Sequence, residues 1–157
     1  MFKDVSLMNE MFGNLKGDPN IINWPRVENQ SKNILDEYEE LLEALRQEDP
    51  AQLRDALCDI MVFTLGVYHL IGGDADKDMQ EVYRSNMSKF CTNKDELEKT
   101  INYYNRIGIK VYGGGEFPYA YVKSLSTQIG ANGRSYPKDK FLKCINWKEP
   151  NFERRVL

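Results

Sequence analysis

A chain of 157 residues is long enough to bury the core of one domain without disulfide or metal staples. Its 21 basic and 24 acidic side chains leave a formal charge of −3, which gives no global electrostatic reason to bind nucleic acid or an anionic membrane. Any affinity for phosphate must therefore be local. Cys58, Cys91 and Cys144 are odd in number and far apart, and the single histidine is His69, so neither a disulfide framework nor a zinc site is readable. The N-terminal MFKDVSLMNEMFG lacks the apolar stretch of a signal peptide. The longest apolar run, IMVFTLGVYHLI, falls short of the ~20 residues of a membrane span. A soluble protein of the reducing cytoplasm is expected.

In chain order, Val5, Met8, Met11 and Phe12 recur at helical spacing and predict a short helix ending at Gly13. A loop with GDPN and the Trp24-Pro25 pair follows, either a lid or simple packing. Ile34, Tyr38, Leu41, Leu42 and Leu45 share one face, which predicts a second helix from about Ile34 to Gln47. Asp49 then serves as an N-cap with Pro50 at the first helical position, opening a third helix that runs to about Ile71 and stops at Gly72-Gly73. A fourth helix is expected from Asp76 to Phe90 and a fifth from Lys94 to Ile107, closed by Gly108. Beyond it, IKVYGGG, YAYVKSLS and KFLKCINW read as a short β-hairpin or meander. The triple glycine, Gly113 to Gly115, lacks the G-K-[ST] and following helix of a P-loop and reads as a flexible turn. The expected fold is all-α: about five helices in a catalytic domain over residues 1–108, with a β extension over 109–157 packed on the same domain.

The link around Glu48 is short, so the second and third helices pack antiparallel. Residues at one level then share a constant index sum, and Glu37 with Asp59 and Glu40 with Asp55 satisfy one scheme. Stepping about 100° per residue places Glu37 and Glu40 on one edge and Asp55 and Asp59 on a stripe with Gly66, so four carboxylates can converge. Most other acids here, including Glu39, Glu43 and Glu48, read as solvated charges. Asp59 does not, because apolar residues from Ile60 to Leu70 surround its helix on nearly every side. Crowded carboxylates at the edge of low dielectric fit a hard divalent cation, Mg²⁺ or Mn²⁺. A di-iron bundle would need Glu-x-x-His motifs, and His69 has Gly66 three residues before it. His69 reads as a surface or hydrogen-bonded core residue.

On the fourth helix Glu81, Ser85 and Lys89 repeat on one face, so Lys89 can face the same pocket, with Arg84 nearby. Such walls suit a polyphosphate with its cation. Asn86 falls among Met79, Tyr83 and Phe90, where an amide needs partners. Phe12, Trp24 and Asn9 could supply stacking and a hydrogen bond to a base, although Trp24 serves equally well as core.

DEYEELLEAL, LRDALCDIMVF and EVYRSNMSKF, in that order over roughly residues 30 to 90, resemble the MazG-like, all-α nucleoside triphosphate pyrophosphohydrolases, particularly small phage-type members. The tail YPKDKFLKCINWKEPNF resembles the β extension of phage-type relatives. The resemblance implies that Glu37 and Glu40 are the E-x-x-E metal ligands and that Asp59 is the aspartate of E-x-x-D. Ala56 stands where that motif has glutamate, and Asp55 substitutes for it on the same face, which leaves the number of ions open. Glu81 matches a further acidic position, and Asn86 and Lys89 fall where the family contacts nucleotide or phosphate.

The expected activity is Mg²⁺-dependent conversion of a nucleoside triphosphate, such as dUTP, dCTP or dGTP, to monophosphate and pyrophosphate. Glu40 would be the general base, with Lys89 and Arg84 at the leaving group. The alternatives are a nucleotide- or alarmone-binding module without turnover and a purely structural bundle. The long apolar third helix exceeds what one hairpin covers, so a homodimer or homotetramer is expected, with neither nucleic acid nor membrane as partner.

Overall fold

The computed structural model describes residues 1–152; the last five residues of the expected β extension lie outside the described part. Five helices and five short strands follow one another: α1 Phe2–Met11, α2 Trp24–Gln47, α3 Pro50–Leu70, α4 Ala75–Met87, α5 Lys94–Arg106, β1 Val111–Gly114, β2 Tyr121–Ser124, β3 Gln128–Ile129, β4 Ser135–Tyr136 and β5 Phe141–Leu142. The fold is an all-α bundle with a small C-terminal sheet. None of the described helices is by itself long and apolar enough to cross a membrane. Contacts divide the described chain inside α4, into Met1–Met79 and Gln80–Phe152.

In the first unit α2 and α3 form the main packed pair. Glu48 adopts a left-handed conformation (φ 53°) that ends α2, and the Asp49 carboxylate accepts from the backbone N–H of Ala51 (2.8 Å) and Gln52 (3.1 Å) to start α3. Ala44 and Ala56 are buried between them, small enough to let the backbones approach closely. The second helix begins ten residues earlier than its apolar periodicity predicts. Asn23 caps it by accepting from Arg26 N (3.2 Å), and Pro25 occupies the first turn, where a missing N–H costs nothing. The Trp24-Pro25 pair is thus a helix start rather than loop.

The first helix lies against α3, its Phe2 and Val5 buried. His69 is fully buried: Nε2 donates to the Asn14 carbonyl and Nδ1 lies 2.8 Å from the Ser6 hydroxyl, so it is a hydrogen-bonded core residue. Gly17 donates its N–H to His69 O at 3.0 Å, and any side chain there would overlap the Leu70 carbonyl. The third helix is not enclosed on every side within this chain. Leu57, Cys58 and Met61 are exposed, because one hairpin partner covers only one face.

The second unit has its own core of Cys91, Tyr104, Ile109, Ala120, Val122, Tyr136, Leu142 and Cys144. Instead of one hairpin or meander there are two sheets: antiparallel β1-β2-β5, and the β3-β4 pair that interrupts it in sequence. Cys91 and Cys144, 53 residues apart, bring their sulfurs to 3.3 Å beside the Thr100 hydroxyl. Thr100 Oγ1 donates to Glu96 O (2.7 Å) and accepts from Ile145 N (3.0 Å), tying α5 to the segment after β5.

Candidate metal centre on the α2–α3 hairpin

Glu37 is half-buried on the inner side of α2, whereas Glu40 is exposed one turn further on. On α3, Asp59 is half-buried and Asp55 exposed. The Glu37 carboxyl is pushed above the usual carboxylate range, first by burial, then by the negative charges of Glu40, Asp59, Asp36 and Asp55 in decreasing order. All four hairpin acids therefore share one field centred on Glu37. Asp36, next to it in sequence, adds to that field and was not singled out from spacing because it lies off the Glu37–Glu40 edge.

Their chemistry suits a hard cation, since carboxylate oxygens are the ligands Mg²⁺ and Mn²⁺ prefer. Among the described residues, no three Asp, Glu, His or Cys side chains are gathered tightly enough to hold an ion in this arrangement. Fit to a metal therefore rests on the shared field and the donor type.

Two turns from the carboxylates, toward the start of α2 and the end of α3, the wall is amide. A side chain on Gly66 would begin 3.0 Å from Gln30 Nε2 and 3.7 Å from Asn9 Nδ2, so glycine leaves room for two amides. Asn9 is buried, donating to Val5 O (2.9 Å) and accepting from Asn14 Nδ2 (3.3 Å). Gln30 was missed in the sequence. Its signal was available, as it lies seven residues before Glu37 and so on the same face. Phe12 and Trp24 are both exposed, which settles the choice for Trp24 against core.

Toward the other end, an open groove of about 600 Å³ is lined by Ala51, Gln52, Arg54, Asp55 and Cys58. Arg54 and Asp55 thus share one opening, a cation and a candidate ligand together, whereas spacing alone points to the cations of the fourth helix.

The residues singled out on α4 are engaged inside the second unit. Arg84 Nε donates to Glu81 Oε2 at 2.9 Å and a second guanidinium nitrogen reaches Oε1. Glu81 also accepts from Asn151 N at 2.7 Å, and these bonds hold its carboxyl at about 2, with Arg84 the larger cause. Arg84 further donates to Glu149 O (3.2 Å) and Ser85 to Lys148 O (2.9 Å), so this helix end clamps the tail. Lys89 Nζ donates to Asn86 Oδ1 at 2.7 Å, and Asn86 is exposed rather than packed among Tyr83 and Phe90.

Two comparisons place the chain among known proteins. An uncharacterized protein, L479, of Acanthamoeba polyphaga mimivirus is 39% identical over 51 residues, which is 32% of this chain and 20% of that protein. The phosphoribosyl-ATP pyrophosphohydrolase family matches residues 7–86, just over half the chain, a span that contains all four hairpin carboxylates, Gln30, Arg54 and Gly66. Carboxylates sharing one field on an antiparallel helical pair and this match agree, and the chain belongs to the phosphoribosyl-ATP pyrophosphohydrolase family, a branch of the MazG-like all-α pyrophosphohydrolases.

Proposed function

We propose that this protein is an Mg²⁺-dependent hydrolase that splits a nucleoside triphosphate, of the kind used in phage DNA synthesis, between its α- and β-phosphorus, releasing monophosphate and pyrophosphate. What supports this most is the α2–α3 hairpin itself, where burial first and then four neighbouring acids raise the half-buried Glu37 carboxyl, a cost a folded protein retains where a cation is to be bound. Glu37, Glu40, Asp55 and Asp59 would hold the ion, with Mn²⁺ an acceptable substitute. When bound it supplies Lewis acidity toward the phosphate oxygens and a water of lowered pKa.

The chain's own groups do the rest. Exposed Glu40 accepts the proton of the attacking water. Arg54, in the groove with Asp55, pairs with the departing pyrophosphate through its fork of N–H donors. It takes the place of Arg84 and Lys89, which Glu81 and Asn86 already occupy. Gln30 and Asn9 present amides at the far end, where a base would be sorted, with Phe12 and Trp24 free to stack. Leu35, Tyr38, Leu42 and Leu45 form an exposed stripe at spacings of three and four, continued on α3 by Leu57 and Met61. A second copy of the chain would cover it, giving a homodimer or a pair of dimers in the cytoplasm.

The test is incubation with each dNTP, each NTP and phosphoribosyl-ATP in Mg²⁺, followed by separation of products. Monophosphate with pyrophosphate is expected from at least one. Orthophosphate release would overturn the reading, and tight binding with intact nucleotide would replace the hydrolase by a sensor.

A further inference from the structure

The chain's small net charge conceals a division. Residues 1–79 hold 7 Lys and Arg against 16 Asp and Glu, a net −9, whereas residues 80–152 hold 12 against 7, a net +5. Within the basic unit, Lys110, Lys123, Lys138, Lys140, Lys143 and Lys148 form no ion pair with any described carboxylate. Their charge is uncompensated.

The sheet places Lys123 on one face with a set of rings. Ala120, Val122 and Ser124 are buried at 1%, 1% and 0% exposure, so Tyr119, Tyr121 and Lys123, which alternate with them, lie on the opposite face, Tyr119 exposed and the other two half-buried. Register extends this face across the sheet, pairing Tyr112 on β1 with Lys123 and Lys123 with Phe141 on β5. The rings form a continuous path. Tyr119 meets Phe90 at 6.0 Å between centroids, Phe90 meets Phe141 at 4.9 Å, and Phe141 meets Tyr121 at 6.5 Å. Lys123 Nζ stands 4.6 Å over the Tyr121 ring, and Lys143 Nζ is 3.1 Å from the centre of the Trp147 ring.

We propose that this face of the β1-β2-β5 sheet binds single-stranded nucleic acid. Aromatic rings set on a sheet and flanked by unpaired lysines match what a strand offers: base planes that stack without regard to sequence, and a phosphate at each step. A duplex hides its base planes and would use only the lysines. The acidic unit of a second copy offers carboxylates but no regular run of phosphates, and its exposed stripe of Leu35, Leu42, Leu45, Leu57 and Met61 is mostly aliphatic and gains more by burying a like stripe.

The full-length protein is titrated into a fluorescein-labelled 20-mer of deoxythymidine, and into a duplex of equal length, with anisotropy followed from 50 to 200 mM salt. Saturable binding of the single strand is expected, at least tenfold tighter than the duplex. Tyr119→Leu should weaken it about tenfold without changing the salt dependence. Lys123→Glu should weaken it and flatten that dependence. Both positions lie on the face opposite buried Val122 and Ser124; unchanged thermal melting shows that the variants fold, and nucleotide hydrolysis in both should equal the parent's. No saturable binding overturns the proposal. So does equal affinity for duplex with no effect of Tyr119→Leu, which marks a general polyanion surface. A loss of self-association in Lys123→Glu, with no oligonucleotide bound by the parent, assigns the face to a second copy instead.

Discussion

Gln30 and Gly66 face each other across the α2–α3 pair, with Gln30 Nε2 3.0 Å from where a Gly66 side chain would begin. Seven residues toward the turn on each helix lie Glu37 and Asp59. Seven residues are close to two helical turns, so facing at the first pair carries to the second. This contact independently supports the level scheme that places the carboxylates opposite one another. Gly66→Ala gains up to ~1 kcal/mol of helix propensity but must displace the Gln30 amide. Melting should be unchanged or slightly higher, while KM for the nucleotide rises severalfold with kcat nearly constant. A fall in kcat alone would remove Gln30 from the binding site.

The carboxylates should declare themselves through the metal. A raised folded pKa on Glu37 means that its contribution to stability is present below about 4.5 and is lost as pH rises through the folded value, so at neutral pH the metal-free hairpin bears the repulsion. Glu37→Gln in chelator should therefore melt at or above the parent. Adding Mg²⁺ should raise the parent's Tm at pH 7 and leave Glu37→Gln and Asp59→Asn nearly unmoved, with hydrolysis in both falling at least 100-fold. Equal responses to Mg²⁺ would end the metal assignment.

If Arg54 pairs with the pyrophosphate portion, Arg54→Gln should raise KM for a triphosphate about tenfold, the effect of roughly one charge-assisted hydrogen bond, with little change in Tm. The parallel change Arg84→Gln should instead lower Tm, because it releases Glu81 and the Glu149 carbonyl. A reversal of these two outcomes would return the phosphate role to the fourth helix.

The exposed stripe on the second helix predicts self-association. Tyr38→Glu with Leu42→Glu puts two charges into it and should give a monomer by light scattering, where the parent gives a dimer or larger. A monomeric parent contradicts this directly.

Alkali should act on the second unit. Burial pushes the Tyr104 hydroxyl to about 12 and also raises the Cys91 thiol, each charged form being costly in that core. Stability from Tyr104 is fully present below its unfolded value of 10.0 and is lost as pH rises through about 12, so unfolding should set in across that window. Tyr104→Phe removes the bond its hydroxyl donates to Lys143 O (3.0 Å), which should cost about 1 kcal/mol near neutrality and shift the alkaline onset upward in circular dichroism.

Elements whose cause is local could be read directly. Asp49 and Pro50 mark a helix start by their own chemistry, and both act there. The first ten residues of α2 were hidden because WPRVENQSKN has no apolar stripe, and its helix rests on the Asn23 cap and on being contiguous with a strongly amphipathic segment. Whatever depends on distant partners was less legible. Cys91 and Cys144 meet because Cys91 bridges Ala120 just before β2 while β2 pairs with β5, which leads into Cys144, and β3-β4 interrupts the sheet with a register no two-residue strand specifies alone. On the hairpin the acids are legible from helical arithmetic, but Gln30 lies before the apolar stripe that marks the helix at Ile34, where no such stripe signals helical spacing. Arg54 was passed over because a lone exposed arginine has no distinguishing spacing.

The link made by left-handed Glu48 and capping Asp49 has a kinetic consequence. Every proposed ligand lies within one hairpin closed by two residues, so the carboxylates are brought together by contacts of short sequence separation, among the earliest a chain can make. The nascent chain thus meets their mutual repulsion before the strands beyond residue 110 exist, and cellular Mg²⁺ would speed closure of that hairpin rather than only reward the finished fold.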